Sequence, residues 1–197
     1  MPTATTPEPP QADRHKGWHS RGYLPDCDIP GLLQSITFRL GDSLPSEVAA
    51  SLLAEQPAGN QPSDRLEELL HAGIGHCWLA CDDIAALVQK ALLHFDGQRC
   101  QLLAGCVMPN HVHVLIETRE GYSLGEVVHS WKSFTAKAIN HRLGRSGMVW
   151  AADYFDRYIR DDENLQGTIG CIEGNPVKAG LARRPEDWRF SSAAIRL

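Results

Sequence analysis

The order of predicted elements in this sequence indicates an α+β protein built on an antiparallel sheet. Two β-rich segments, Arg99–Met108 and His111–Thr118, are joined by the tight Pro109-Asn110 connection and predict an antiparallel hairpin. A first strand is expected at Leu32–Leu40, where apolar and polar residues partly alternate. Stretches with helical periodicity lie before and after the hairpin, so strands and helices interleave along one chain.

Caps and apolar stripes predict five helices around these strands. The clearest spans Leu124 to about Leu143, because Ser123 and Glu126 form the Ser-x-x-Glu pattern of a capping box before it. The last is expected over about residues 163–173, since Pro176 lacks the backbone donor that would continue a helix. The other three are predicted to begin at Ser46, at Asp64 and at Asp82 or Asp83, the first ending near Gln56 and the third near His94.

A chain of 197 residues with 43% hydrophobic and 22% charged residues has the composition of a globular protein with one core. The first residues are rich in Pro, Thr and polar side chains, so we expect a disordered segment over residues 1–20 and one domain over residues 21–197. Neither a transmembrane-length apolar run nor a basic-then-apolar leader is present, which predicts a cytoplasmic protein without a membrane partner. The six cysteines follow no secreted framework and are expected to be free thiols.

Charge is distributed unevenly along the chain, although the net charge is only −5. Residues 1–98 hold 13 Asp and Glu against 6 Lys and Arg, whereas residues 129–160 hold six basic residues against two acidic ones. This asymmetry predicts one electropositive surface on an acidic body, which suits a phosphate backbone. Within it, the segment Val149–Arg160 mixes aromatic residues with arginines. That mixture suits unpaired bases and phosphates or, for its apolar side chains, simple packing against the sheet.

His111 and His113 are the candidate chemical groups of the hairpin. Side chains alternate along a strand, so both imidazoles are expected on one face while Val112 and Val114 project to the other. Two neighbouring imidazoles can each offer a neutral ring nitrogen to one divalent metal ion. The alternative is that both are polar residues on the solvated face of an antiparallel sheet. The His-x-His spacing alone does not decide between these two interpretations.

Three motifs occur in one consistent order over roughly residues 20 to 195. They are the strand Val107–Leu115 with its His pair, the helix segment Trp131–Thr135, and a last run that extends from Tyr154–Arg160 to Asn175–Leu181. In this combination the chain resembles the REP-associated tyrosine transposases of the His-hydrophobe-His superfamily, which are related to single-strand insertion-sequence transposases.

The resemblance implies a ferredoxin-like antiparallel sheet backed by helices. It implies that His111 and His113 bind Mg²⁺ or Mn²⁺ together with Asn175 of the last helix. It also implies that a tyrosine one helical turn before that third ligand attacks the scissile phosphate of single-stranded DNA and forms a 5′-phosphotyrosine link. The residue four positions before Asn175 is Cys171, so the sequence departs from the family at the nucleophile.

This departure leaves several functions open. We expect a monomer or homodimer that binds single-stranded or hairpin (repetitive palindromic) DNA. Metal-dependent nicking and strand transfer in DNA transposition is then an ancestral activity, impaired by Cys171. One alternative is a repurposed protein that binds the hairpin without cutting it, and another is a metal hydrolase assisted by Asp153 or Asp156. Tyr154 and Tyr158 are candidate substitute nucleophiles. The residues expected to contact DNA are Lys132, Lys137, Arg157, Arg160 and Lys178.

Overall fold

The computed structural model describes residues 17–20, 25–28, 31–55, 64–159 and 162–195. The strands in these ranges are Gly17–Ser20 (β1), Pro25–Asp28 (β2), Leu33–Arg39 (β3), Cys100–Val107 (β4), His111–Thr118 (β5) and Phe155–Tyr158 (β6). The helices are Ser46–Glu55 (α1), Asp64–His71 (α2), Asp82–His94 (α3), Leu124–Arg142 (α4), Asp162–Lys178 (α5) and Ser192–Ile195 (α6). Short 3-10 turns lie at Trp78–Ala80 and Pro185–Asp187.

The central sheet has four strands in the order β4-β5-β3-β6, and every neighbouring pair is antiparallel. In chain order these are the second, third, first and fourth strands of the sheet, with helices between the first and second and between the third and fourth. This is the ferredoxin-like arrangement, and the predicted fold class is confirmed. Strands β1 and β2 pair with each other in a separate two-stranded sheet that the sequence did not predict.

One side of the central sheet, which we call the apolar face, packs against α3 and α4. Its central pairs are Ile36 opposite Val114 and Phe38 opposite Val112, and all four side chains are fully buried. Phe38 meets Trp150 edge-to-face, with ring centroids 4.9 Å apart, a geometry that aromatic pairs favour. This face holds the main hydrophobic cluster of the protein.

The other side, which we call the histidine face, carries the odd-numbered residues His111, His113 and Leu115 of β5. Leu115 packs in a smaller cluster with Ile172 of α5. Helix α2 belongs to a further small cluster that joins it to α1 and to Phe155 of β6. The histidine face is therefore covered by α5 and approached by α2, with less apolar packing than the apolar face.

Helix α4 begins as predicted. The backbone N–H of Glu126 donates to the Ser123 hydroxyl at 3.2 Å, and the backbone N–H of Ser123 donates to the Glu126 carboxylate at 3.1 Å. This reciprocal pair is a capping box, which satisfies two backbone donors at the helix start.

The predicted end of α5 is wrong, because the helix continues through Pro176 to Lys178. Proline cannot donate to the carbonyl four residues earlier, which belongs to Ile172. The side chain of Asn175 supplies donors there instead: its Nδ2 donates to the carbonyl of Cys171 at 2.9 Å and lies 3.4 Å from that of Ile172. The amide thus compensates for the proline, and the helix does not end.

Two sequence predictions concern residues that lie partly or wholly outside the described ranges. Of the predicted disordered segment, residues 1–16 lie outside them, while residues 17–20 form β1. Arg160 also lies outside them. Within the described ranges, no helix is long and apolar enough to cross a membrane, and Cys77, Cys81, Cys100, Cys106 and Cys171 are free thiols.

Candidate functional site

The imidazoles of His111 and His113 lie side by side on the histidine face. Their ring centroids are 4.7 Å apart and their planes are nearly perpendicular, at 87°. Only 1% of His111 and 3% of His113 is exposed. The interpretation that they are polar residues on a solvated face is therefore wrong, because both rings are buried.

His111 is oriented by its neighbour Asn110. The Asn110 amide nitrogen donates to the carbonyls of Leu70 at 3.1 Å and Ile74 at 3.2 Å, at the end of α2 and just beyond it. This leaves the Asn110 amide oxygen to accept from His111 Nδ1–H, at 2.7 Å. The proton on Nδ1 fixes the tautomer in which Nε2 carries a lone pair, which is the form that ligates a metal ion.

His113 is held in the same way by a different residue. Its Nδ1 shares a hydrogen bond of 2.8 Å with the hydroxyl of Thr37, which lies directly opposite on β3. The Nε2 atoms of both histidines are buried and have no hydrogen-bond partner among the described residues. Buried polar atoms are nearly always paired, so two adjacent orphan nitrogens indicate a position for a ligand.

Both imidazoles are strongly biased toward the neutral state. Burial is the largest cause and lowers the pKa of His113 to about 3 and that of His111 well below 6.5. Electrostatic repulsion from His113 and then His71 lowers the pKa of His111 further, and repulsion from His71 and then Lys178 does the same for the pKa of His113. Neutral imidazoles are the form required for metal ligation, and these two stay neutral at physiological pH.

The side chain of Asn175, on helix α5, lines the same cavity as His113. It is 1% exposed, and its amide nitrogen is engaged by the helix carbonyls of Cys171 and Ile172. Its amide oxygen therefore points away from the helix and accepts from Nε2–H of His71, at 3.0 Å. The ring of His71 lies 5.9 Å from that of His111. His71 is the residue of this site that sequence reasoning missed.

Cys171 lines a small cavity of about 30 Å³ beside the histidine pair. A cavity of this size has room for an ion or one or two water molecules and not for a nucleotide. The structure thus brings Cys171 close to the predicted metal ligands, as the helical spacing predicted. The cavity is lined by residues of β3, β5, β6, α2 and α5: Ser35, Thr37, Glu67, His113, Arg157, Thr168, Cys171, Ile172 and Asn175.

Neither tyrosine proposed as a substitute nucleophile is near this cavity. Tyr158 lies opposite Gln34 in the sheet register, so its side chain projects to the apolar face. Tyr154 is part of the hydrophobic cluster on that same face. The sheet separates both phenols from His113, and Cys171 is the only one of these three candidates beside it.

The predicted DNA-binding residues fall into two groups. Arg157 lines the cavity with His113, and Lys178 lies close enough to His113 to depress its pKa while forming a 3.8 Å ion pair with Glu67. Lys132 and Lys137 lie on α4, on the other side of the sheet, and the ammonium of Lys132 donates to the carbonyl of Ala152 at 2.7 Å. Only the first group is beside the histidines.

The donor set of the site is two imidazole nitrogens and one amide oxygen. Within the described ranges, no group of three or more His, Cys, Asp and Glu side chains is arranged to hold a metal ion. The amide oxygen of Asn175, which accepts from His71 at 3.0 Å, is the candidate third donor that the sequence predicted. The orphan Nε2 atoms and the fixed amide fit a divalent cation of borderline to hard character, such as Mn²⁺ or Mg²⁺.

One family model matches residues 83–166, somewhat less than half of the chain. That range, which runs from α3 through the histidine hairpin and α4 to the start of α5, matches the model of the family described as "Transposase IS200 like". The predicted resemblance to REP-associated tyrosine transposases is confirmed by two curated relatives.

Two curated relatives carry that description. One, from Haemophilus influenzae and provisionally described as a REP-associated tyrosine transposase, is 27% identical over 103 residues, which cover 47% of this chain and 58% of the relative. The other, the REP-associated tyrosine transposase of Escherichia coli, is 26% identical over 92 residues, covering 47% of this chain and 53% of the relative. The matches thus span little more than half the length of each relative.

The fold also matches a solved structure of a REP-associated tyrosine transposase bound to a REP hairpin. The TM-score is 0.56, and the match covers 86% of this chain and 81% of that one. At 18% sequence identity, this similarity establishes the shared fold and says nothing by itself about the ligand of the present chain.

Proposed function

We propose that this chain binds single-stranded or hairpin DNA and holds a divalent cation with His111, His113 and Asn175. The observation that carries the metal assignment is the pair of buried, unpartnered Nε2 atoms on neutral imidazoles. Their opposite ring nitrogens are already satisfied by Asn110 and Thr37. Such outer hydrogen bonds are typical of metal-ligating histidines.

The cation, Mg²⁺ or Mn²⁺, would polarise a backbone phosphate and orient it beside α5. The chain's own residues contribute the remaining features. The sheet and α5 bury the imidazoles, and the helix carbonyls of Cys171 and Ile172 hold the amide nitrogen of Asn175, which leaves its oxygen to face away from the helix. Arg157 and Lys178 add positive charge at its margin, where a phosphate backbone would approach.

Cys171 occupies the place of the nucleophile, and we propose that this substitution impairs DNA cleavage. A thiol sulfur is a soft nucleophile and a poor substitute for a phenol at phosphorus. The two remaining candidates, Tyr154 and Tyr158, belong to the apolar face. The natural chain therefore binds DNA without forming the covalent link, and nicking with strand transfer in DNA transposition is its ancestral activity.

Two alternatives are less well supported. A hydrolase that uses a metal-bound water would need an acid partner, but Asp156 lies opposite Ile36 and so projects to the apolar face. Asp153 acts on buried Arg39, whose pKa is lowered by burial and raised in part by that carboxylate. A repurposed hairpin-binding protein without any catalysis differs from our proposal in its response to Cys171→Tyr, because its site would not regain cleavage.

The test is hairpin DNA carrying a fluorescent label, incubated with the natural chain and Mn²⁺. We expect concentration-dependent anisotropy from binding and no labelled protein band after denaturing electrophoresis. A covalent band that persists when Tyr154 and Tyr158 are changed to Phe, and disappears in Cys171→Ser, would contradict the proposed impairment. Absence of binding to hairpin and to single-stranded DNA alike would contradict the DNA-binding function.

A further inference from the structure

We infer that His71 is a positioning residue for the third metal ligand, holding the amide oxygen of Asn175 in the direction of the histidine pair. The inference rests on the proposed metal site and names a residue that the family motifs do not include. His71 is the last residue of α2 and donates from Nε2 to Asn175 Oδ1 at 3.0 Å. The two residues are 104 positions apart in the sequence.

The amide of Asn175 is fixed at both ends. Its nitrogen donates to the carbonyl of Cys171 at 2.9 Å, next to the carbonyl that Pro176 leaves without a donor. Its oxygen accepts from His71. An amide held only at its nitrogen could still rotate about its remaining torsions, whereas one held at both ends keeps a single orientation.

The end of α2 is itself fixed relative to the histidine pair. Asn110, which orients His111, also donates to the carbonyl of Leu70, the residue before His71. Leu70 is 1% exposed and packs with Phe155 of β6 in the small cluster on this side. His71 thus lies at a helix end that Asn110 links directly to His111, a predicted metal ligand.

An amide oxygen has two acceptor sites, so Asn175 can accept from His71 and ligate a cation at the same time. Hydrogen bonds from outer residues to metal ligands commonly contribute 10- to 100-fold to metal affinity. We therefore expect His71 to raise the affinity for the cation by roughly tenfold or more without being a ligand itself.

The experiment measures Mn²⁺ binding to the full chain by electron paramagnetic resonance, for the natural protein, His71→Ala, His71→Gln and His94→Gln. Glutamine keeps a donor near the place of Nε2, and His94 is a matched control, an exposed histidine in the last turn of α3. We expect His71→Ala to bind Mn²⁺ about tenfold or more weakly. His71→Gln should remain within about threefold of the natural chain, and His94→Gln should be unchanged. Equal affinity of His71→Ala and the natural chain would overturn the inference, as would equal weakening by Gln and Ala.

A second measurement needs no metal and separates this inference from the proposed function. In the metal-free protein, the side-chain amide of Asn175 should give one protected, shifted ¹H–¹⁵N signal pair in the natural chain and in His71→Gln. In His71→Ala the pair should move and exchange faster with solvent. If the natural chain binds no Mn²⁺ but this pattern holds, the metal assignment fails while the positioning role stands. An unchanged Asn175 signal in a folded His71→Ala variant would overturn the positioning role.

Discussion

The two faces of the central sheet are built from the same strands but carry different chemistry. The apolar face buries Ile36, Phe38, Val112 and Val114 against α3 and α4, in a cluster made mainly of hydrophobic side chains. On the histidine face, the alternate residues of β5 present two imidazoles to α5 and α2, and a large share of the buried groups are polar. The first face stabilises the fold, and the second holds groups whose bonds are incomplete in the protein alone.

The comparison shows that the single strand β5 contributes side chains both to the core and to the candidate site. Because side chains alternate, β5 can donate Val112 and Val114 to the core while His111 and His113 occupy the other side. A groove between α3 and α4, the helices that cover the apolar face, is lined mainly by apolar residues. The candidate site lies instead at the smaller cavity lined by Cys171 and His113. Changes on the two faces should therefore have separable effects.

The largest effect is expected from restoring the nucleophile on the histidine face. Cys171→Tyr should form a covalent adduct with hairpin DNA at a rate at least about a thousandfold above the natural chain, because catalytic groups act as a unit. Labelled DNA that stays with the protein on denaturing gels measures the adduct. Cys171→Phe is the matched control, since it adds the ring without the hydroxyl. A folded Cys171→Tyr protein that binds metal and hairpin but forms no adduct would contradict this prediction.

The apolar face should respond to truncation through stability alone. Phe38→Ala removes a fully buried ring that contacts Trp150, and we expect a loss of about 3–5 kcal/mol in the free energy of unfolding. Urea denaturation measures the loss. The affinity of the remaining folded protein for Mn²⁺ should stay within about threefold of the natural value, a margin under about 1 kcal/mol. A large loss of metal affinity at constant folded fraction would show that the faces are not separable.

The histidine face should make stability depend on pH. The folded pKa of His113 is about 3, while an unfolded histidine titrates near 6.5. The unfolded state therefore binds more protons between these values, and stability falls as pH decreases from about 6.5 toward 3, by at most about 1.4 kcal/mol per pH unit for this group. Above pH 6.5 the group has no effect.

Replacing the imidazole should flatten this dependence. In the metal-free protein, His113→Gln should lower the slope of unfolding free energy against pH, measured by urea denaturation at several pH values between 4 and 7. His94→Gln, which removes an exposed imidazole, should leave the slope unchanged. If the slope for His113→Gln equals that of the natural chain, His113 is not held neutral by burial.

The smallest effect is expected from removing basic residues. The size of this effect on the salt dependence of DNA affinity should show which side of the sheet contacts the DNA. Arg157→Ala with Lys178→Ala should reduce the slope of log affinity for DNA against log salt by roughly 0.7–0.9 for each charge that contacts a phosphate. Lys132→Ala with Lys137→Ala removes the same charge from α4 and should change the slope less. Fluorescence anisotropy with one hairpin at several salt concentrations gives both values. A larger change from the α4 pair would place the DNA on the other side of the molecule.

The sequence was sufficient for the parts of this structure that depend on local patterns. Alternation placed both histidines on one face, and the Ser123–Glu126 capping box marked the start of α4. The four-residue spacing brought Cys171 and Asn175 to one side of α5. Each of these follows from residues close together in the chain.

The parts that could not be predicted depend on contacts between distant segments. His71 meets Asn175 only because α2 and α5 converge, and nothing in the sequence around His71 differs from the end of an ordinary surface helix. The end of α5 was misjudged because the proline rule was applied without the compensating amide of Asn175. The basic residues were grouped by their proximity in the chain, whereas the sheet divides Arg157 from Lys132.

The two orphan nitrogens of the histidine face are proposed to ligate a cation. The most direct test of this proposal is Mn²⁺ titration of the natural chain, His111→Ala and His113→Ala, with His94→Ala as control and circular dichroism to verify folding. We predict one site in the natural chain and in the control, and loss of that site in both other variants. Undiminished Mn²⁺ binding by folded His111→Ala and His113→Ala proteins would contradict the account.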